Sequence, residues 1–331
     1  TTYIINCWFS PTYENPLGDF LFRFFLLNLV QNNATNHIQI RSWANAFETI
    51  QQAIIAAGTY GDEVWIAKGK YTPHASNKNM AFYINKDNLK VYGGFAGTET
   101  QLSQRDMTKI HTDNATILSG DLNNDDIRVA FAGANRTDNS LHVIKVSKEN
   151  TVLDGLIIAD GHADFVATTG SNRHGAGVFK DPIILKLTLK NNVIRDNVAQ
   201  YAAGLSLEYS SSTLATYSID KCIFKNNLAQ TGSALSLIPL GHRNINISIT
   251  NSLFDGNKTS DYGALKATGG SNGSIKGQGG TTRATIVNNT FVNSLNNGTN
   301  GGEYPALLIS RGGSGNIAGP ISNNIFLGKY K

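Results

Sequence analysis

The sequence has little of what most soluble domains use to build a charged surface or a covalent framework. Charged residues make up only 16% of its 331 residues, against about 25% in typical globular chains. It has 7 prolines and 2 cysteines, which argues against a proline-rich linker and against a disulfide-rich scaffold. Cys222 lies in an apolar run that is typical of a buried thiol. The two cysteines, Cys7 and Cys222, are too few to indicate whether the protein lies in an oxidising or a reducing compartment.

Two further features are missing, and both limit the possible partners. The net charge is +4 without a Lys/Arg cluster, which argues against nucleic acid and allows a mild attraction to acidic glycans. The apolar run from Phe20 to Val30 is interrupted by Arg23 and Asn28, so it is too short for a membrane span of about 20 residues and makes a poor secretory signal. We interpret residues 1–41 as an atypical N-terminal segment, either a cap over the end of the fold or a partner-binding segment.

Glycine and small polar residues are abundant instead. The chain has 33 glycines, and its Asn, Ser and Thr content favours many short strands joined by tight turns. One amphipathic helix is predicted at about 45–57, with Asn45 and Glu48 as a capping box and Gly58 after its end. Its apolar face is expected to contain Phe47, Ile50, Ala53, Ile54 and Ala57.

A repeat dominates the second half of the chain. The segments NNVIRDNVAQYAAGLSL, KCIFKNNLAQTGSALSL, NSLFDGNKTSDYGALKA and NNTFVNSLNNGTNGGEYPALLI align, and a shorter copy, NNIFLGK, follows. Differences between consecutive anchor positions are 30, 30, 37 and 35 residues, the anchors being Ile194, Phe224, Phe254, Phe291 and Phe326. Asparagine stands three positions after the first three anchors, at Asn197, Asn227 and Asn257.

Each repeat contains three short apolar stretches, which are too close together for a β-sandwich. A coil of three short strands that stacks on the next coil at about 4.8 Å pairs every strand in parallel. The sequence therefore predicts an all-β parallel β-helix over residues 42–331, with three short strands per coil and the helix as an N-terminal cap. The anchors should form one interior column, and the asparagines should form a buried ladder at a turn.

Several stretches resemble secreted bacterial right-handed parallel β-helix proteins of the pectate-lyase-like superfold, a kind abundant on Bacteroidota cell surfaces. They are SWANAFETIQQAI, GDEVWIAKGKYTP, LKVYGGFAGTETQLSQRD, ATILSGDL and the N-x-x-F-x-x-N repeats. The resemblance covers about residues 42–331, and it implies a right-handed coil and an extracellular or outer cell-surface location. In that family a strand precedes SWANAF; TTYIIN fits that strand, but residues 7–40 are unusual. The family commonly has a sorting or anchoring domain, so a longer polypeptide or an assembly is also considered.

Such folds include polysaccharide lyases and non-catalytic adhesins, so the function depends on the site. A lyase needs a base and a cation that neutralises a uronic carboxylate. The candidates are Arg195 and Lys225, at equivalent outward positions with Asp255 next to them, together with Lys190 and His174. The alternative interpretation is a solvated charge column that suppresses association at strand edges.

Acidic residues provide the remaining candidates. Asp154, Asp160 and Asp164 are weak Ca²⁺ candidates, and the favoured interpretation of this stretch is a polar turn between coils. The loop with Asp121, Asp125 and Asp126 is expected to be a solvated excursion, and no spacing selects a hydrolase pair such as Asp196 and Asp220. No other cofactor is expected. The favoured function is a non-catalytic adhesin, fibre component or stalk that binds a glycan or a cell-surface protein; the alternative is an extracellular lyase acting on an acidic glycan.

Overall fold

The computed structural model describes most of the chain. The described residues are 2–5, 43–58, 62–127, 134–163, 171–239, 244–259, 265–270, 281–292, 307–312 and 316–327. Asp164, one of the predicted Ca²⁺ candidates, and Cys7 lie outside them.

The strands form three long parallel sheets and one short sheet. Sheet 1 contains β1 (Thr2–Ile5), β2 (Glu63–Ala67), β5 (Lys90–Phe95), β8 (Thr151–Asp154), β11 (Lys186–Lys190), β15 (Ala215–Asp220), β19 (Ile245–Thr250), β23 (Thr281–Val287), β26 (Asn316–Ala318) and β27 (Ile321–Ser322). Sheet 2 contains β4 (Phe82–Ile84), β7 (Ile144–Val146), β10 (Val178–Lys180), β14 (Leu205–Tyr209), β18 (Leu235–Pro239), β22 (Leu265–Gly270) and β25 (Leu307–Gly312). Sheet 3 contains β3 (Gly69–Tyr71), β6 (Thr116–Ser119), β9 (Leu156–Ala159), β12 (Val193–Arg195), β16 (Ile223–Lys225), β20 (Leu253–Asp255), β24 (Thr290–Val292) and β28 (Ile325–Leu327). Sheet 4 contains β13 (Val198–Tyr201), β17 (Leu228–Thr231) and β21 (Lys258–Thr259).

The predicted parallel β-helix is confirmed, because the chain visits sheets 1, 3 and 2 in turn and pairs with the preceding coil each time. The central coils add a fourth short strand, in sheet 4, which the sequence did not predict. This strand lies between the asparagine turn and sheet 2, and small residues allow it to pack closely there. They form a second, alanine-only core of Ala163, Ala176, Ala199, Ala203 and Ala229.

The N-terminal end is covered as predicted, although its details differ. The helix α1 spans Ile50–Ala56, and Thr49 rather than Asn45 is its N-cap, in a capping box with Gln52. The predicted Asn45–Glu48 cap is therefore wrong: Asn45 ends a short 3₁₀ turn, Trp43–Asn45, before the chain turns into the helix. Strand β1 pairs with β2 from Thr2 to Ile5, so the solenoid also includes residues before the predicted boundary at 42. No helix in the described part of the chain has the length and apolar character needed to cross a membrane.

The interior contains one column of stacked anchors. Ile194, Phe224, Phe254, Phe291 and Phe326 pair in register along sheet 3. The four rings stack at centroid distances of 5.0, 4.7 and 4.9 Å, with interplanar angles of 2°, 11° and 8°. Phe224 and Phe254 are fully buried, whereas Phe326 in the last described coil is 41% exposed. Stacked aromatic rings at this spacing contribute burial and a direct ring–ring attraction.

Two polar ladders define the turns at both ends of the sheet 3 strands. Asn197, Asn227 and Asn257 are fully buried, and each of the first two donates from both its backbone N–H and its Nδ2 to the Oδ1 of the next. A second ladder, which the sequence did not predict, runs through Asn289 and Asn324 at the other turn. Both turns place the preceding residue in the left-handed region, as at Asp196 and Asn288, a conformation that Asn and Asp tolerate well.

Candidate functional site

The outer surface of sheet 2 holds a row of aromatic and cationic side chains. Tyr83, Lys145 and Phe179 occupy the same register position on β4, β7 and β10. The Nζ atom of Lys145 lies 6.0 Å from the Tyr83 ring centroid and 5.7 Å from that of Phe179. Gln51 of α1 fixes the start of the row, because it exchanges two hydrogen bonds with the Tyr83 backbone. The row therefore begins at the capped end of the solenoid.

A second cluster lies around Tyr201, the last residue of β13 in sheet 4. The His174 ring packs 4.8 Å from the Tyr201 ring, and the Arg173 guanidinium lies 5.0 Å from the same ring and donates to its hydroxyl. The Nδ1 atom of His174 is 2.7 Å from Glu208 Oε1, a close contact that is not aligned as a hydrogen bond. We call Tyr83, Lys145, Phe179, Arg173, His174 and Tyr201 the aromatic–cationic face.

Glycine at position 175 makes this cluster possible. Gly175 has φ +61°, and an added Cβ would lie 2.7 Å from the carbonyl oxygen of Val178. Its N–H bonds to the carbonyls of Tyr201 and Ala202, which holds His174 against Tyr201. Its own carbonyl contacts His142 Nδ1 at 3.2 Å, and burial lowers the pKa of His142 to about 4. His142 is therefore neutral and acts as part of the scaffold.

The chemistry of the aromatic–cationic face suits a hydroxylated and anionic ligand. Aromatic rings offer flat apolar faces with polar edges, and Lys145 and Arg173 supply cations for carboxylate or sulfate groups. Asp181, 3.9 Å from Lys145, and Glu208 provide acceptors for hydroxyl groups on the same side. Tyr83 is 40% exposed, so at least one ring is accessible to a large ligand.

The cations predicted on sheet 3 are in register, but they have nearby acidic partners. Arg195, Lys225 and Asp255 occupy equivalent positions on successive coils. Arg195 Nη1 forms a very short ion pair with Asp196, and Lys225 Nζ is 3.6 Å from Asp255. Lys190 lies on sheet 1, in register with Asp154 and Asp220. The structure thus places His174, alone among the predicted catalytic residues, in the cluster around Tyr201.

The described Ca²⁺ candidates are used inside the protein. Asp154 Oδ1 accepts from Arg105 Nη2 at 3.0 Å and from Asn191 Nδ2 at 3.0 Å. Asp160 is fully buried, and its Oδ2 accepts from Ser119 at 3.1 Å. Neither belongs to the acidic cluster found among the described residues, whose members are Asp121, Asp125 and Asp126. Burial is the main cause that raises the pKa of Asp126 to about 6.

A second concave region lies near the N-terminal end. This cleft of about 580 Å³ is lined by polar and charged side chains, among them Lys68, Gln104, Asp106, Lys109 and Asp113. It lacks the apolar walls that most ligand pockets have, and Lys109 and Asp106 already lie 3.9 Å apart. We therefore assign no ligand to this cleft.

Lys180 is an unusual charged residue inside the coil. Its side chain points inward, and its Nζ atom donates to the carbonyls of Asp181 (2.9 Å), Ile184 (3.3 Å) and Glu208 (2.7 Å). The rings of Tyr209 and Tyr217 lie 5.9 and 5.3 Å from it. Burial lowers the pKa of Lys180 to about 7, against the opposing effect of neighbouring carboxylates.

Lys180 should make stability rise with pH. The unfolded chain keeps this proton up to about pH 10, whereas the folded protein releases it near pH 7, so deprotonation favours the folded state across that window. We expect the free energy of unfolding to increase by about 2 kcal/mol between pH 7.5 and pH 9. Urea titrations measure it: Lys180→Met should remove the increase, and the exposed Lys186→Met should retain it. A wild-type stability that is flat or falls over this range would contradict the assignment.

The sequence did not reveal most of the aromatic–cationic face. Its only signal was the period-2 pattern in FYI, IKV and VFK, in which the middle residue faces outward. The first coils differ in length, so no repeat alignment places Tyr83 beside Lys145. The comparisons with known proteins add nothing to this assignment, because no family model, curated protein or solved structure matched the chain.

Proposed function

We propose that this protein is an extracellular, non-catalytic β-helix rod that binds an acidic glycan along its aromatic–cationic face. The observation that carries the proposal is the position of Lys145, between the Tyr83 and Phe179 rings and in register with both. Lys145 and the exposed Tyr83 ring offer a charged contact and a stacking surface side by side, and the Phe179 ring, only 3% exposed, packs against Lys145.

The geometry of a solenoid favours a polymer as the ligand. Successive coils lie about 4.8 Å apart, a length of the same order as one sugar ring in a chain. A polysaccharide that runs along the rod would therefore meet one coil per sugar, from Tyr83 on β4 to Lys145 on β7 and onwards along sheet 2. Only 16% of the residues are charged, so much of the remaining surface consists of Asn, Ser and Thr. These uncharged side chains attract an anionic glycan less strongly than Lys145 and Arg173 do.

The proposed location depends on the resemblance to secreted bacterial β-helix proteins of the pectate-lyase-like superfold. Its most specific part is the run from Ser42 to Asp121, and structural features lie within that run. Glu99, in FAGTET, accepts three backbone N–H groups in the loop after β5. Arg105, in QLSQRD, pairs with the buried Asp154. We place the chain with proteins of that kind, on the surface of a Bacteroidota-like cell.

Binding is tested with the purified chain and four acidic polysaccharides: pectate, alginate, chondroitin sulfate and ulvan. Retardation in polysaccharide-containing native gels and titration calorimetry should detect binding to at least one of them, and added salt should weaken it. We expect Tyr83→Ala and Lys145→Ala each to weaken binding by about tenfold, a loss within the range of an exposed cation–π or charged contact.

Lys225→Ala is the matched control, because it removes an equivalent lysine from sheet 3 and leaves sheet 2 intact. Binding should be unchanged in this variant. Equal losses in Lys145→Ala and Lys225→Ala would mean that net charge alone attracts the glycan, and no binding to any acidic polysaccharide would refute the proposal.

A second candidate function is a polysaccharide lyase, and the contact between His174 and Glu208 favours it. A carboxylate 2.7 Å from an imidazole that packs against a phenol ring brings together groups that can exchange protons. The same polysaccharides, incubated with the chain in the presence of Ca²⁺, would then yield unsaturated uronic products that absorb in the ultraviolet. Steady product formation that the His174→Ala substitution abolishes would show that this face catalyses glycan cleavage and does not only bind the glycan. Loss in Arg195→Ala or Lys225→Ala instead would place the catalysis on sheet 3.

A further inference from the structure

Three carboxylates converge in the loop that follows β6. Asp121, Asp125 and Asp126 each place an oxygen within 4.8 Å of the others, and we call these three residues the acidic loop. Their order in the sequence, D-L-N-N-D-D, has no glycine at the sixth position and no glutamate at the twelfth, so this is not an EF-hand loop. A cluster of this kind is common on protein surfaces without a metal, so a second observation is needed.

That observation is a pair of buried oxygens without donors. The side chain of Asp126 is 2% exposed, and its Oδ2 accepts from Asn139 Nδ2 at 2.9 Å. Its Oδ1 is buried and receives no hydrogen bond in the described part of the chain, and the same is true of Asn139 Oδ1. Buried acceptors nearly always have a partner, and the described residues supply none to these two oxygens.

The local charge favours a cation as that partner. Three carboxylates face two positive groups: Lys70 Nζ lies 3.4 Å from Asp121 Oδ2, and Arg136 Nη2 lies 3.5 Å from Asp126 Oδ2. These two ion pairs leave the third carboxylate, the exposed Asp125, without a cation among the described residues, so the acidic loop has a net negative charge. Lys70 also contacts Asn124 Oδ1 at 2.6 Å, so an ammonium already occupies the outer side of the acidic loop.

We propose that the acidic loop binds one Ca²⁺ ion, with Asp126 as the buried ligand and Asp121 and Asp125 as the outer ligands. The donors are all oxygens, which suit Ca²⁺ or Mg²⁺ rather than zinc. Ca²⁺ tolerates an irregular ligand set, whereas Mg²⁺ requires near-ideal octahedral geometry. Competition from Lys70 implies weak binding, with a Kd in the range of about 10⁻⁴–10⁻³ M found for extracellular modules.

The loop that carries the acidic residues also contacts a later coil, two coils further along sheet 3. Arg136, the cation beside Asp126, donates from Nη1 to the carbonyl of Asp196 at 2.9 Å. Asp196 belongs to the turn that begins the asparagine ladder on sheet 3. Because Ca²⁺ would bind the folded loop and not the unfolded chain, it would stabilise the fold, and the acidic loop shares no residue with the aromatic–cationic face.

The test uses the full chain, freed of metal with a chelator, and no glycan. Calorimetric titration with CaCl₂ should give one binding event, and CaCl₂ should raise the melting temperature more than MgCl₂ does at equal ionic strength. Asp125→Asn, which changes an exposed ligand, should weaken binding by about tenfold. Lys70→Met should strengthen it, because it removes the competing ammonium.

The control is Asp113→Asn, an exposed aspartate outside the acidic loop, which should bind Ca²⁺ as the wild type does. Three results would each overturn the proposal: the absence of a Ca²⁺-specific heat and melting shift, an Asp125→Asn variant with wild-type affinity, or a Lys70→Met variant without tighter binding. Asp126→Asn provides a further check. If neither the wild type nor a folded Asp126→Asn variant responds to Ca²⁺, and the variant is the more stable of the two, then a proton or a water, and not a metal ion, satisfies Asp126.

Discussion

Replacing Phe254 with alanine is expected to lower the free energy of unfolding by about 3–5 kcal/mol, the range for a buried aromatic residue truncated in a core. Phe254 is fully buried and lies between the Phe224 and Phe291 rings, at 5.0 and 4.7 Å. Alanine would leave a cavity in the middle of the stack, and the coils above and below cannot close it without breaking their strand pairing. Urea denaturation followed by circular dichroism measures the change.

The matched control is Phe326→Ala, in the last described coil. In the described part of the chain, Phe326 stacks on one ring, Phe291, and it is 41% exposed, so its truncation should cost well under half as much. Each coil of a solenoid contacts only its neighbours, so a defect in the middle of the column should uncouple the coils on either side of it. The Phe254→Ala variant should therefore show a lower urea midpoint and a less cooperative transition. Equal costs at the two positions would mean that the column does not carry the stability of the solenoid.

The repeating part of the fold could be predicted because one physical constraint recurs in every coil. Stacked parallel coils place equivalent side chains on top of one another. An inward phenylalanine in one coil therefore requires an apolar residue at the same position in the next coil. This requirement leaves a visible period at Ile194, Phe224, Phe254, Phe291 and Phe326. The asparagines are visible for the same reason: a buried amide is satisfied most simply by an identical amide one coil away.

Features that depend on a single coil left no such trace. Thr49 and Asn45 are both good N-cap residues with a glutamine or glutamate three positions on, so the sequence alone did not separate them. The fourth strand at Val198–Tyr201 depends on how closely alanines approach one another, and this has no periodic signature.

The candidate sites show the same limit. The row of Arg195 and Lys225 followed from the repeat, yet their pairing with Asp196 and Asp255 depends on side-chain directions at a turn. Lys145 and Tyr83 are 62 residues apart by subtraction of their numbers, and only the fold places them in contact. The acidic loop was visible as a cluster of letters, whereas the buried oxygen of Asp126 was not.

Replacing Asn227 with alanine should lower the free energy of unfolding by about 2–6 kcal/mol, because it leaves two buried backbone groups without partners at about 1–3 kcal/mol each. Asn227 Oδ1 accepts from the backbone N–H of Asn197 at 3.2 Å, and its Nδ2 donates to the carbonyl of Ile194 at 2.8 Å. Alanine can replace neither bond, and the site is fully buried, so water cannot readily enter.

Two variants separate this loss from a simple packing defect. Asn227→Asp keeps the shape and the acceptor but, when ionised, places a charge 3.0 Å from Asn257 Oδ1, so we expect it to be less stable at pH 8 than at pH 4 relative to wild type. Asn226→Gly changes the exposed neighbour, whose φ of 53° glycine accepts and whose counterpart in the next coil is Gly256; its stability should change by less than about 0.5 kcal/mol. A ladder that tolerated Asn227→Asp equally at both pH values would contradict the inference, because an ionised carboxylate cannot donate the hydrogen bond that Asn257 Oδ1 receives from the amide.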